Sequence, residues 1–404
     1  MNTRLWNRSF TLWLLGSAQS RLGAALASIA LSFLVLHQTG SAGRMAQTLA
    51  LSLLPNLPLA GTLVDRWPLK LPLIAASLVQ GFLQLTVGGL ALAWGEVPLW
   101  AINVAALLGG LAAAFEGPAS GAALPALVPE TELTRANGLT SGLNQAMTLL
   151  GTLAGGVLVA HWSPAGAMAL DGLSFLVFSV LLIGVRLPPL PPVQDQASLW
   201  ADFRSGVALM RRSPLLSMIP VLALLLNGSL APVLVVLPRL MTTLGPGAQG
   251  YSLYLALESG GLLLAGGLCA WLGNRLALRR TMSAGFVLTA LAYLGMWLAP
   301  VVPVLLGCAL VLGLGFGLIN VPAVALIQQL VPAGYLGRIF AVLNAAGALG
   351  MPLVLAAISP FVDRLPLGMW FLVSGTAQGL GLLGWWWVQR REAGSAAHQQ
   401  PRAV

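Results

Sequence analysis

Long apolar stretches constrain this chain more than any other feature. A bilayer core is about 30 Å thick and needs about 20 apolar residues for each helical crossing. Such stretches, too uniformly apolar for alternating barrel strands, are expected to satisfy their backbone groups internally as helices. We count twelve: 10–37, 43–64, 71–94, 98–126, 135–160, 164–186, 215–241, 250–274, 280–299, 301–329, 337–362 and 366–388. The prediction is an all-α polytopic membrane protein with 12 transmembrane helices.

The overall charge supports this class and excludes others. Hydrophobic residues make up 57% of the chain and charged residues only 8%, whereas soluble domains carry about 25% charged residues. The net charge of +9 fits loops that face anionic headgroups. No basic face interleaved with aromatic residues is present, so we expect membrane lipids as partners and no nucleic acid.

The positions of the basic residues predict the orientation. An even number of crossings places both termini on one side, and basic residues concentrate in cytoplasmic loops. With both termini in the cytoplasm, 16 of the 20 basic residues are cytoplasmic. Only Arg44, Arg239 and Arg364 lie outside, and Arg21 lies within a span. The prediction is a multi-pass protein of a bacterial inner membrane with cytoplasmic termini.

The chain divides once, at the Pro-rich, polar stretch LPPLPPVQDQASLW (187–200), which cannot continue a helix. We therefore predict an N-terminal six-helix bundle (1–186), a cytoplasmic linker (187–214), a C-terminal six-helix bundle (215–390) and a cytoplasmic tail (391–404). Within the linker, ADFRSGVALMRRS could form a short interfacial helix. An ordinary solvated linker is the alternative.

One phrase occurs in both halves. LVPETELTR (127–135) returns as LVPAGYLGR (330–338), after the fourth span and again after the tenth. Lys70 after span 2 and Arg279 after span 8 likewise occupy corresponding positions in the two halves. Two parallel six-helix repeats related by an axis along the membrane normal are the plan of major facilitator transporters.

Local motifs carry a resemblance to that superfamily. GTLVDRWPLKLPL resembles its signature G-x-x-x-D-R-x-G-R-K-x-x-L: Gly61, Asp65, Arg66 and Lys70 match, although Pro68 and Leu69 stand at two signature positions. ALPALVPETELTRANGL, LDGLSFLVFSVLL, FRSGVALMRRSPLL and GRIFAVLNAAGALGMPL are similar to its macrolide-efflux and enterobactin-exporter branch. The resemblance covers nearly the whole chain.

Two departures from the family pattern concern helices 5 and 1. Exporters of the superfamily often carry G-P-x-x-G-G in helix 5, where this chain has GTLAGG with Thr152 in the proline position. Gly151, Gly155 and Gly156 still allow close helix packing. Members of the branch also often place an acid where this chain has Ala24, so a proton-carrying acid is expected elsewhere.

The resemblance implies a gating role for Gly61, Asp65, Arg66 and Lys70. A carboxylate at a helix–helix turn can meet the positive end of a neighbouring helix, and a guanidinium can meet a carboxylate. By resemblance these contacts latch the outward-open state. A plain solvated turn is the alternative.

Charges within the spans are the candidates for proton coupling, since each is costly in a membrane unless paired or hydrated. Arg21 in span 1 and Glu116 in span 4 could form an ion pair in the central cavity; a purely structural pair and separate solvated positions are the alternatives. Glu258 in span 8 could carry protons, or could face a water-filled cleft without coupling. Asp171 is expected to hold loops or helix ends.

Uncharged polar residues predict a substrate cavity: Gln19, Asn227, Ser229 and Asn320. The other residues of these spans are largely apolar, which favours an amphipathic or lipophilic cargo over a sugar.

Enzyme classes are not supported. The three histidines form no HExxH and no nucleophile dyad, and no P-loop GxxxxGK[ST] is present. We expect no cofactor and no metal. The resemblance implies efflux of a small drug-like, macrolide-like or siderophore-like molecule by alternating access and proton antiport, in a monomer, with multidrug resistance as the cellular role. Uptake or lysolipid translocation, or a non-transporting scaffold or sensor of the same fold, are the alternatives.

Overall fold

The computed structural model describes residues 5–55, 67–187, 199–211, 213–331 and 335–399. Within these ranges the chain forms thirteen α-helices and no β-strand. The helices are α1 (Arg8–Thr39), α2 (Ala42–Leu53), α3 (Lys70–Trp94), α4 (Leu99–Leu127), α5 (Leu133–His161), α6 (Pro164–Gly184), α7 (Leu199–Met210), α8 (Pro214–Leu244), α9 (Gly247–Leu272), α10 (Leu278–Leu298), α11 (Val302–Leu330), α12 (Leu336–Ile358) and α13 (Met369–Gln399).

Ten of these helices, α1, α3 to α6 and α8 to α12, are long and apolar enough to cross a membrane. They correspond to ten of the twelve predicted spans. The span predicted at 43–64 begins with α2, and its part from residue 56 onward lies outside the described residues. The span predicted at 366–388 falls within α13. The predicted all-α class is confirmed.

The ends of α1 show how the sequence sets a helix boundary. The side chain of Asn7 accepts a 2.9 Å hydrogen bond from the backbone N–H of Phe10, which satisfies a donor that has no partner within the helix. Gly40 ends the helix with φ of 62°, a left-handed conformation that glycine adopts without steric cost. These two caps define a 32-residue helix.

The chain forms two compact units, the first of which contains Met1–Asp195 and Leu237–Ala256. In it, α1 packs on α5 and α6, while α3 packs on α4 and α6. A buried cluster that includes Phe10, Leu73 and Phe178 joins α1, α3 and α6. Because lipid tails are as apolar as these side chains, close packing rather than exclusion from water holds such helices together.

The segment Leu237–Ala256 contains the end of α8 and the start of α9, and it packs within the first unit. A Cβ atom at Gly156 of α5 would overlap Ser252 of α9 and approach the carbonyl oxygen of Ala248. His161 and Gln249 lie 2.9 Å apart, Nε2 to Nε2. The absence of a side chain at Gly156 allows α9 to approach α5 closely within this unit.

The second unit contains Gln196–Val236 and Leu257–Val404. Here α10 packs on α11 and α13. The short helix α7 occupies the linker and packs on α12, where a Cβ at Gly206 would lie 2.8 Å from the carbonyl oxygen of Arg338. Met210 joins Ile339 in a buried apolar cluster there. Part of the linker is therefore an ordered helix held by its neighbour.

Candidate functional site

The acid of span 4 has a polar partner on the neighbouring helix. Gln80 on α3 donates a 2.7 Å hydrogen bond from Nε2 to Oε2 of Glu116 on α4. Gln80 also lines a cavity of about 260 Å³ in the first unit, together with Gln84 and Ser52 among mostly apolar side chains. One oxygen of the Glu116 carboxyl is therefore held by a neutral donor at the edge of a cavity.

Arg21 and Glu116 are the residues of the predicted ion pair. Arg21 lies on α1 with an exposed side chain, and its positive charge attracts the Glu116 carboxylate. No salt bridge within 4.0 Å joins the two in the described part of the chain. In this conformation the direct contact to Glu116 comes from Gln80.

Asp171 lies inside the first unit rather than at a helix end. It belongs to the interior of α6 and is only 1% exposed. Its Oδ1 accepts a 3.3 Å hydrogen bond from Ser174, and its Oδ2 has no hydrogen-bond partner among the residues that the structure describes. Opposite it on α1, a Cβ at Gly23 would overlap both side chains. Sequence analysis expected a role at loops or helix ends; the signal for the interior was an acid in the middle of an apolar helix.

Glu258 lies on α9 and is half-buried. Its carboxyl forms no hydrogen bond with any residue that the structure describes. Its carbonyl oxygen contacts α11 closely, because a Cβ at Gly313 would overlap it. Glu258 therefore combines a tightly packed backbone with a carboxyl that has no fixed partner.

The second unit contains a cavity of about 340 Å³. Side chains of α8, α10, α11 and α12 line it, and its amides belong to Asn227, Asn320 and Asn344. Apolar side chains such as Ile219, Met282, Ile327, Phe340 and Leu343 form most of the remaining wall. Two predicted cavity residues, Asn227 and Asn320, thus share one cavity with Asn344, which sequence analysis did not single out.

Ser229 lies elsewhere, in a buried polar network between α8, α10 and α13. It is 2% exposed, and its Oγ accepts a 2.6 Å hydrogen bond from Nε2 of Gln378. Its carbonyl oxygen accepts a 3.3 Å hydrogen bond from the hydroxyl of Tyr293. Thr289 donates a 3.4 Å hydrogen bond to the Gln378 side chain. In this conformation Ser229 holds three helices together and does not line the cavity.

Gln19 is half-buried on α1. Its Oε1 is buried and has no hydrogen-bond partner in the described ranges. It lies in the first unit.

Of the four predicted gating residues, Gly61, Asp65 and Arg66 lie outside the described residues. Lys70 begins α3, and its Nζ donates to the carbonyl oxygens of Ile183 (2.7 Å) and Val185 (3.0 Å) at the end of α6. A cation there satisfies carbonyls that have no partner within the helix and complements the helix dipole.

The corresponding cation of the second half makes a related contact. Arg279 lies in the first turn of α10 and forms a 2.6 Å salt bridge with Glu392 of α13. The carbonyl oxygen of Arg279 also accepts a 3.3 Å hydrogen bond from Nε1 of Trp385. Helix α3 is thus tied to α6 in the first half, and α10 is tied to α13 in the second half.

The helix-5 glycines lie at close helix contacts. A Cβ at Gly151 would overlap the carbonyl oxygen of Leu22, and a Cβ at Gly155 would lie 3.0 Å from the Cα of Leu26. Both contacts are made with α1. Gly156 forms the notch that receives Ser252.

The described ranges contain no group of three His, Cys, Asp or Glu side chains that could hold a metal ion.

Comparison with known proteins gives consistent matches. The sequence model of the Major Facilitator Superfamily matches residues 13–355 and, in a second match, 223–402. Macrolide efflux protein A of Streptococcus pyogenes is 27% identical over 385 residues, which cover 92% of this chain and 93% of the relative. The multidrug efflux pump Tap of Mycobacterium tuberculosis is 28% identical over 382 residues, covering 89% and 88% of the two chains.

Solved structures share the fold. The nucleoside transporter NupG superposes with a TM-score of 0.80 at 10% identity, covering 95% of this chain and all of the other. A bacterial homologue of the iron transporter ferroportin, in an inward-facing state, gives a TM-score of 0.76 at 19% identity and covers 94% and 98% of the two chains. At these identities the structures define the fold alone.

Proposed function

Because the chain belongs to the Major Facilitator Superfamily, we propose that it is a secondary active transporter that exports a small amphipathic or lipophilic compound by alternating access, in exchange for protons. It is a membrane transporter of small molecules and not an enzyme. The observation that carries the substrate class is the cavity of the second unit, whose wall is apolar except for neutral amides. A site of this kind accommodates hydrocarbon and offers few groups to orient a polar cargo.

Export as the direction is supported by the relatives. Macrolide efflux protein A and the pump Tap are both named for efflux, and each aligns over most of its own length. On the basis of its basic loops we place the protein in a bacterial inner membrane with both termini in the cytoplasm. A monomer is the proposed oligomeric state.

Proton coupling is assigned to carboxyls within the spans. A proton carrier must exchange between its charged and neutral forms, so it needs surroundings that do not lock either one. Glu258 has no hydrogen-bond partner among the described residues, and Glu116 has one neutral donor, Gln80. Neither forms a direct salt bridge with a residue that the structure describes, so both remain candidates, with Arg21 as a long-range modulator of Glu116.

The gating role of Gly61, Asp65, Arg66 and Lys70 forms part of the same proposal. Lys70 ties the start of α3 to the end of α6 by two hydrogen bonds at one end of the first unit. Contacts of this kind can form in one conformation of an alternating-access cycle and break in the other.

The test is transport by the purified full-length chain in proteoliposomes. The probe is a permanently charged lipophilic fluorescent cation of the rhodamine type, which an acidic lumen cannot trap by protonation. The vesicles have an acidic lumen, and their membrane potential is clamped. Dye accumulation in the lumen then reports proton-coupled export by those transporter molecules whose cytoplasmic face points out of the vesicle. Parent protein, Glu258→Gln and Glu116→Gln are compared, with Glu130→Gln as the matched control because Glu130 is exposed at a loop.

We expect the parent and Glu130→Gln to accumulate the dye and at least one of the other two variants to lose gradient-driven flux. Dye movement that is independent of the gradient would contradict proton coupling and favour a facilitated or lysolipid carrier. A parent that binds but never moves the dye would contradict transport and favour the scaffold or sensor.

A further inference from the structure

The cavity of the second unit has polar groups of one kind. We propose that it binds the ammonium group of a lipophilic amine through the side-chain oxygens of Asn227, Asn320 and Asn344. This inference rests on the proposed function and deepens it, because it names the substrate class of the site. The three amides come from three different helices, α8, α11 and α12, and line the same space of about 340 Å³.

The orientation of two of the amides follows from their hydrogen bonds. Nδ2 of Asn227 donates a 2.9 Å bond to the carbonyl oxygen of Ala223, and Nδ2 of Asn320 donates a 2.9 Å bond to that of Phe316. A carbonyl oxygen only accepts, so the amide nitrogen must point back along the helix. Oδ1 accepts no hydrogen bond from the described residues, so it remains available as an acceptor beside the second N–H of each amide.

Asn344 supplies the third oxygen. Its side chain is exposed where α12 lines the cavity, and it forms no hydrogen bond with the part of the chain that the structure describes. It is free to turn its oxygen toward a bound donor. The cavity therefore offers two fixed acceptors and one adjustable acceptor.

The rest of the wall selects the ligand's charge and body. Among the lining residues there is no Lys, Arg or His, so a carboxylate or phosphate would find no cationic partner. Amide oxygens can replace the water around a cation, as backbone carbonyls do in potassium-channel filters. The apolar remainder accepts hydrocarbon. An ammonium head with three N–H donors on an apolar body matches this arrangement.

The size fits a small amine or the amine-bearing end of a larger compound. Ligand cavities in proteins range over about 300–1,000 Å³, and this one lies at the lower end. Every lining residue belongs to the second unit, so the amine end is recognised within one unit.

The experiment measures binding to the purified full-length chain in detergent micelles. The probes are dansylcadaverine, which carries a primary ammonium group, and its N,N,N-trimethyl salt, which has the same charge and no N–H on that nitrogen. The variants are Asn227→Leu and Asn320→Leu, which keep the side-chain volume and remove the acceptor. The matched control is Asn137→Leu: Asn137 makes the same bond to the carbonyl four residues back, at 2.9 Å, on an exposed face of α5.

We expect the parent to bind the primary amine about tenfold more tightly than the trimethyl salt, because a hydrogen bond to a charged group is worth at least that factor. Each cavity variant should weaken primary-amine binding by about tenfold. The affinity of each cavity variant for the trimethyl salt should stay within about threefold of that of the parent. Asn137→Leu should bind both probes with the affinity of the parent. Equal weakening of both probes, or no weakening of either, would overturn the proposal. Equally tight binding of the neutral N-acetyl derivative would overturn it as well.

Transport separates this inference from the proposed function. Gradient-driven flux that survives in the cavity variants, together with unchanged amine binding, would overturn the amine site and leave export standing. Loss of gradient dependence in the parent would overturn proton-coupled export, while binding that depends on N–H donors and on the asparagines would still support the amine site.

Discussion

Gln80 donates a 2.7 Å hydrogen bond to Glu116, so a neutral amide on α3 is the direct partner of the acid within α4. This contact joins two packed helices at the wall of the first unit's cavity. It also explains how the acid is accommodated without a salt bridge to Arg21. The carboxyl has a donor for one of its oxygens.

Gln80→Leu is expected to destabilise the protein by about 1–3 kcal/mol, because it leaves a half-buried carboxyl without its donor. Thermal or denaturant unfolding in detergent measures the effect. In a Glu116→Leu background the same substitution should cost much less. Gln84→Leu, one turn along the helix, is the control, since Gln84 lines the same cavity without a hydrogen bond to the described residues. Equal losses in both variants would contradict a specific bond.

Lys70→Met is expected to lower stability by about 1–3 kcal/mol, since two carbonyls at the end of α6 lose a charged donor. Partial recovery is expected in Lys70→Arg, which restores a cation with a different reach. Arg204→Met removes the same charge from an exposed position on α7 and should change the unfolding midpoint little. If Arg204→Met lowers stability as much as Lys70→Met, the change in net charge, and not the lost contact with α6, is responsible for the destabilisation.

Gly151→Ala is expected to destabilise the packing of α5 on α1 by about 1–3 kcal/mol, because the added methyl would overlap the carbonyl oxygen of Leu22 and the helices must separate. Gly142→Ala on the same helix meets nothing within 4 Å and should be neutral or stabilising by up to about 1 kcal/mol. Unfolding midpoints of the two variants measure this difference. A harmless Gly151→Ala would show that α1 and α5 do not pack this closely.

Ser229→Ala is expected to cost about 1–3 kcal/mol of stability, since the buried Gln378 amide loses its acceptor. The folded variant should bind dansylcadaverine like the parent, because Ser229 lies outside the cavity. Adding Gln378→Leu should recover part of the stability by removing the unpaired amide. Weakened dansylcadaverine binding together with unchanged stability would contradict this and support Ser229 as a cavity residue.

The sequence by itself determined the class of the protein and its repeated plan. Runs of about 20 apolar residues admit only membrane helices, and the phrases at 127–135 and 330–338 reveal two parallel repeats. Lys70 and Arg279 were identified as related positions because loop motifs are local in sequence. Helix ends such as Asn7 and Gly40 are also local, since a cap needs only its own turn.

Only the tertiary structure decided which way each side chain faces. A helix that is apolar all round has no polar stripe to fix its rotation, because lipid and the bundle interior are equally apolar. The sequence therefore did not predict three positions that the structure shows. Asp171 lies in the interior, Ser229 belongs to a buried network, and Asn344 lines the same cavity as Asn227 and Asn320. The sequence also did not predict that Gln80, and not Arg21, contacts Glu116 directly. The length and polarity of each helix follow from its own sequence. The direction in which a side chain faces depends on the close contacts that neighbouring helices permit.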